Sequence, residues 1–284
     1  MASSLRPLAA FLLGIAVVSV AAAEGPSLSD SVEEGARFEL VRENPSVNGE
    51  RRQVMRFEVD GLEQFALVLW PAMKAPEQGW PSIIFNHGYH PDPPQYGRNS
   101  QGMNDRPGDY YRGVVQALVD RGFVVLVPDF RGHNESDGLE YTLKETPSSY
   151  YARDSVAAFL AMDTLDKLDG SQRFMLGHSM GGRVTLAALN ALGSAVASAS
   201  IWSTMRVPSE LLMPESLDSP LLVLHARDDA VTSVQGSEAL ARMLHSHGRK
   251  VALDVYNGSD HLFSGEQLDE AIARSVSWFA NSKN

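Results

Sequence analysis

The stretch Gly177-His178-Ser179-Met180-Gly181-Gly182 follows the apolar run Phe174-Met175-Leu176 and leads into a helical pattern. The chain must therefore pass from a strand through a sharp turn directly into a helix. A serine on such a turn projects its hydroxyl away from both elements, and the small residues Gly177 and Gly181 relieve the crowding that a strained backbone creates. A Gly-rich strand-to-helix turn with an incidental serine shows the same pattern, so its meaning depends on which other groups the chain supplies, and in what order.

Those groups follow in sequence. Pro220-Leu221-Leu222-Val223-Leu224-His225-Ala226 is a continuous apolar run suited to a buried parallel strand, and it empties into Arg227-Asp228-Asp229. Val251-Ala252-Leu253-Asp254-Val255-Tyr256 alternates like a strand, and the polar turn after it delivers His261. Serine, aspartate and histidine in that order form a nucleophile, an orienting carboxylate and a general base. A hydroxyl is a poor nucleophile until an imidazole takes its proton, and the imidazole needs a buried carboxylate to fix its tautomer and stabilise its cation. The doubled aspartate leaves the acid open between Asp228 and Asp229.

Upstream, Pro81-Ser82-Ile83-Ile84-Phe85 reads as a strand ending in Asn86-His87-Gly88-Tyr89-His90. A loop in that place can donate a backbone N–H to a developing oxyanion, and the candidate donors are Tyr89 and Met180. Together with Pro128-Asp129-Phe130-Arg131-Gly132-His133-Asn134-Glu135-Ser136-Asp137-Gly138, these segments resemble the α/β-hydrolase-fold serine hydrolases. The likeness is to the branch shared by small carboxylesterases and the catalytic domains of prolyl-oligopeptidase-like peptidases. It implies a mostly parallel central sheet with helices on both faces and a catalytic set of Ser179, Asp229 and His261, Asp229 being preferred to Asp228 because the family's carboxylate comes four residues after the strand-end histidine, here His225. The sequence has no phosphate-binding glycine loop, so no cofactor is expected. Asn134 and Ala226 stand where that family usually has glycine.

Organisation along the chain agrees with this likeness. Val54 to Val59 and Phe65 to Trp70, joined at Asp60-Gly61, read as antiparallel strands opening the sheet. Beyond them helix and strand alternate, which implies a parallel sheet with active groups at the carboxyl ends of its strands. Thr232 with Gln235 and Ser264 with Gln267 read as capping boxes. The connection after residue 202 is short, so the expected lid is minimal and the site open. His87, Gly88, Trp202 and Met205 are the expected substrate contacts, with Leu211, Leu212 and Met213 as further acyl-pocket candidates. His178 is expected to pack in the turn, and Asp154 with Arg131 to form a structural ion pair.

Composition bounds the rest. A chain of 284 residues with 44% hydrophobic and 21% charged residues fits one large α/β domain over residues 36–284. Residues 1–23 carry one basic residue, Arg6, an apolar run and the small residues Ala21-Ala22-Ala23, the outline of an export signal cleaved near Ala23. Residues 24–35 read as a flexible leader. The net charge of −11, without a basic cluster, argues against nucleic acid or anionic membrane as partner. With no cysteine there is neither a disulfide framework nor a thiolate metal site. His87, His90 and Asp92 form the one metal-like spacing, which the oxyanion-loop resemblance explains better. The expected partner is a small ester substrate, with short peptides as the competing substrate class and a non-catalytic binding protein as the third reading.

Overall fold

The computed structural model describes residues 36–46, 49–95, 109–144, 147–208 and 211–282. The expected signal and leader, and most of the 90–108 connection, lie outside the described residues.

Among the described residues, nine strands form one sheet in the order β1-β2-β3-β5-β4-β6-β7-β8-β9. They are β1 Glu39–Asn44, β2 Arg51–Val59, β3 Leu62–Trp70, β4 Trp80–Asn86, β5 Val124–Pro128, β6 Leu168–His178, β7 Ser198–Trp202, β8 Leu221–Ala226 and β9 Val251–Tyr256. The first three pair antiparallel with one another and β3 with β5, whereas β5, β4, β6, β7, β8 and β9 run parallel. Asp60 and Gly61, at φ 56° and 73°, close the β2–β3 hairpin with Val59 opposite Leu62. Positive φ at both turn positions matches the right-handed twist of the two strands.

Among the described residues, five helices cover the faces: α1 Asp109–Val119, α2 Pro147–Ala161, α3 Met180–Leu192, α4 Val234–Ser246 and α5 Gly265–Asn281. Neighbouring strand residues point to opposite sides. Ile84, Met175, Ile201 and Val223 pack under α2, α3 and α4, whereas Ile83, Phe174, Leu222 and Leu224 pack under α1 and α5. Burial of β4 to β8 on both faces explains why their sequences read as unbroken apolar runs.

After β4 the chain crosses to β5 on one side, and after β5 it returns to β6 on the other. The ends of β4 and β6 therefore lie together at the point where strand order reverses, with Asn86 paired to Gly177. A crevice opens at such a point in a doubly wound sheet. The connection from β7 to β8 carries a 3-10 turn at Pro214–Ser216 and no α-helix among its described residues, so no helical lid is folded there.

Two local expectations need correction. The N-cap of α4 is Ser233, whose hydroxyl accepts the Gln235 N–H, and not Thr232, which is drawn into the loop ahead of it. Ser264 does precede α5, but its hydroxyl turns to Asp260 and Gln267 reaches the Asn257 carbonyl, so no reciprocal box forms.

Candidate active site

Ser179 sits between β6 and α3 at φ 55° and ψ −117°, a backbone conformation that side-chain-bearing residues adopt only under constraint. The surrounding glycines make that turn possible through space rather than flexibility. A Cβ on Gly177 would lie 2.3 Å from Gly181 O, and one on Gly181 would lie 1.9 Å from Asn86 O. The turn is thus jammed against the end of β4. Buried Asn86 anchors it, donating to Thr185 Oγ1 at 2.9 Å and accepting from Ser155 Oγ at 2.8 Å. Its role as a tie between α2 and α3 is invisible in sequence, because nothing local marks its partners.

The loops after β8 and β9 bring the other two groups. His261 Nε2 lies 2.9 Å from Ser179 Oγ, and His261 Nδ1 lies 2.8 Å from Asp229 Oδ2. A carboxylate only accepts, so the proton sits on Nδ1 and the bare Nε2 faces the serine hydroxyl, the tautomer a general base requires. Asp228 is exposed, with its backbone N–H donated to Gly258 O, and has no contact with His261. Of the two adjacent aspartates, the fold brings Asp229 to the imidazole.

The Asp229 carboxylate has no exposed surface and is saturated with donors. Its Oδ1 accepts from Val231 N at 2.8 Å and Thr232 N at 3.0 Å, and its Oδ2 lies 2.9 Å from the Thr232 hydroxyl. Burial pushes its pKa up, but the bond from His261 and those from Thr232 and Val231 outweigh it and leave the carboxyl below its ordinary value. His225 braces the loop from beneath, donating Nε2–H to Thr232 O at 3.0 Å and accepting from Ser237 at 2.7 Å. Both supporting residues were missed in sequence, Thr232 because an aspartate turn and a helix cap share one pattern of accepted N–H groups.

Backbone N–H groups of Tyr89 and Met180 have no acceptor among the described residues. Met180 opens α3, where the helix dipole adds a partial positive charge. Other expected contacts fall elsewhere. Tyr89 is 70% exposed, but His87 and Gly88 are buried beneath it, with the His87 ring 4.3 Å from Phe130 and 4.9 Å from His133. Trp202 is fully buried, its indole N–H 3.1 Å from both Ser200 and Ser275. Neither His87 nor Trp202 borders the site as expected: strand-end aromatic and imidazole groups read alike whether they face a pocket or the core. Met205 is only half-buried, and its N–H donates to Ser179 O at 3.2 Å.

Met205 also borders a mainly apolar cavity of about 700 Å3 between the segment after β7 and α4, lined by Leu212, Thr232 and Leu240, with Arg183 and Arg206 at its edge. Of the other acyl-pocket candidates, Leu211 is buried and Met213 exposed. Among the described residues, no group of three His, Cys, Asp or Glu side chains has metal-binding geometry. No helix of the described residues is long and apolar enough to cross a membrane.

The comparisons with known proteins agree with this architecture. Residues 81–212 match the family model of the alpha/beta hydrolase fold. No curated protein matches the chain in sequence. A protein assigned as a dienelactone hydrolase from Klebsiella pneumoniae is similar in structure at TM-score 0.61 and 18% identity, over 82% of this chain and 100% of that one. An acylaminoacyl peptidase from Pyrococcus horikoshii is similar at 0.64 and 15%, over 83% of this chain and 42% of that one. A puromycin-hydrolyzing peptidase from Mycobacterium tuberculosis is similar at 0.65 and 19%, over 84% and 40%. The chain thus spans about two fifths of the length of these peptidases. Its strand order, elbow geometry and likeness to these structures show that this chain has the α/β-hydrolase fold.

Proposed function

We propose that the chain is a serine hydrolase that cleaves carboxylic esters of small or accessible acyl groups through an acyl-serine intermediate. One observation carries this reading: the continuous path from Asp229 through His261 to Ser179 Oγ, with bonds of 2.8 and 2.9 Å. His261 Nε2 takes the Ser179 proton as Oγ bonds to the ester carbonyl carbon. The carbonyl oxygen becomes an oxyanion, stabilised by the Tyr89 and Met180 N–H groups. As the tetrahedral centre collapses, the ester C–O bond breaks and His261 returns the proton to the leaving alcohol. Water, deprotonated by the same imidazole, then releases the acid and restores the serine.

The preference for small acyl groups rests on the short β7–β8 connection, since a lid is what usually shields a long apolar groove. A second reading, cleavage of short peptides, is favoured by Arg183 and Arg206 at the cavity edge, where a peptide carboxylate could be met. A panel of p-nitrophenyl esters of increasing chain length, run beside aminoacyl and dipeptidyl p-nitroanilides, separates the two. Highest specificity for short esters supports the proposal. Faster amide turnover replaces it with the peptidase reading, and activity rising to long chains with a jump above the micellar threshold replaces it with a lipase. Export belongs to the same proposal, and mass spectrometry of the protein from its native host should show a chain beginning near Glu24.

A further inference from the structure

Between the oxyanion loop and the base lies a chain of hydrogen bonds that the acyl-transfer steps do not use. Gly88 N–H donates to Tyr111 Oη at 2.8 Å, Tyr111 Oη lies 2.7 Å from His178 Nδ1, and His178 Nε2 lies 2.9 Å from the backbone carbonyl of His261. The carbonyl can only accept, so His178 carries its proton on Nε2 and its Nδ1 is bare. Tyr111 must then donate to Nδ1, leaving its lone pairs for Gly88. Each donor and acceptor along this path has one consistent role. Both side chains are buried, and the space is filled: a Cβ on Gly88 would lie 2.6 Å from Tyr111 Oη and 3.2 Å from His178 Nδ1.

Gly88 precedes the candidate oxyanion donor Tyr89, His178 precedes the nucleophile, and His261 is the base. We propose that Tyr111 and His178 are positioning residues, a bridge that holds the oxyanion loop and the base loop at a fixed separation around Ser179. Neither side chain touches substrate; they act through the backbones of Gly88 and His261. Burial pushes the His178 pKa down to about 3, so the ring stays neutral and the polarity of the bridge does not reverse near neutral pH.

The role of the bridge rests on the serine-hydrolase reading, but its existence can be tested without turnover. In 15N NMR spectra of the intact protein, His178 should show the Nε2–H tautomer unchanged from pH 5 to 8; an Nδ1–H tautomer, or titration in that range, overturns the bridge. For function, Tyr111→Phe should lower kcat about 10- to 100-fold with KM within about twofold, as expected when reacting groups are misplaced while binding survives. Affinity for a boronic acid transition-state analogue should fall in parallel. His178→Asn should lower kcat similarly, and the double variant should be no worse than the poorer single one, because both break a single path. Additive losses, or a rise in KM at constant kcat, overturn the positioning role. Absence of ester hydrolysis in the wild-type protein would count against the serine-hydrolase reading and leave the NMR result to decide the bridge.

Discussion

The loops that carry the proposed acid Asp229 and the proposed oxyanion donor Tyr89 are held in opposite ways. After β8, the Asp229 carboxylate is itself the organising centre: it gathers two backbone N–H groups, a hydroxyl and an imidazole, all within a few residues along the chain except His261. After β4, the described residues of the loop hold no such charged centre: the Gly88 carbonyl meets the neighbouring His87 ring, and the Gly88 N–H is held from outside by Tyr111 on α1. One loop is built around a charge and the other is tied through neutral groups to a residue distant in sequence. A self-organised loop should fail through one residue, whereas a loop clamped from outside should fail gradually through its clamps.

The largest effect should come from the centre of the acid loop. Asp229→Asn keeps the shape but presents His261 in the wrong tautomer, a change worth about 10⁴ in turnover in a comparable triad. Asp228→Asn should leave steady-state turnover nearly unchanged. Equal losses in the two variants would show that the loop acts as a general negative field rather than through one bonded carboxylate. On the oxyanion side, Gly88→Ala forces a methyl group against Tyr111 Oη and should cost about 10²-fold in kcat by displacing the Tyr89 N–H. A variant retaining wild-type kcat would show that the clamp can yield without consequence.

Acid should separate the loops next. Burial holds His178 at about 3 and His133 at about 4, and pushes His87 well below its ordinary value. All three bind a proton on unfolding near pH 6.5, so the stability they permit is complete above that value and drains away as pH falls toward their folded values. Each such histidine removes up to about 1.4 kcal/mol per pH unit in that window. The Asp229 pKa is lowered, so its contribution persists down to the ordinary carboxylate value near 3.8 and is lost only below it. Amide hydrogen exchange measured between pH 7 and 5 should therefore show protection falling around Gly88 and His133 before it falls around Asp229; the reverse order contradicts the assignment. The smallest effect is expected for Thr232→Val, which removes one of several bonds to the carboxylate and should lower kcat a few-fold, read in steady-state kinetics.

What could be read from sequence follows the same division. The elbow, the order of Ser179, Asp229 and His261, and the alternation of strands and helices are local or periodic features, and the fold places each where the chain pattern implies. The preference for Asp229 over Asp228 rests on the family resemblance, in which the carboxylate follows the strand-end histidine, here His225, by four residues. By contrast, Tyr111 meets His178 across 67 residues and Asn86 meets Thr185 across 99, with no local signal in either segment. Trp202 and His87 show the limit from the other side: their chemistry suits a pocket, but β7 and the loop after β4 turn them inward. The expected ion pair between Arg131 and Asp154 does form, at 2.6 Å and fully buried, because two unlike charges in adjoining apolar segments have little alternative.

In the proposed mechanism Ser179 is a nucleophile activated by His261. The most direct test of this is covalent labelling with a fluorophosphonate, followed by peptide mass spectrometry of the wild-type protein and the folded Ser179→Ala and His261→Ala variants. The adduct should fall on the peptide containing Ser179, disappear in Ser179→Ala and form several orders of magnitude more slowly in His261→Ala. Labelling of Ser179→Ala as strong as wild type, or an adduct on another residue, would contradict the account.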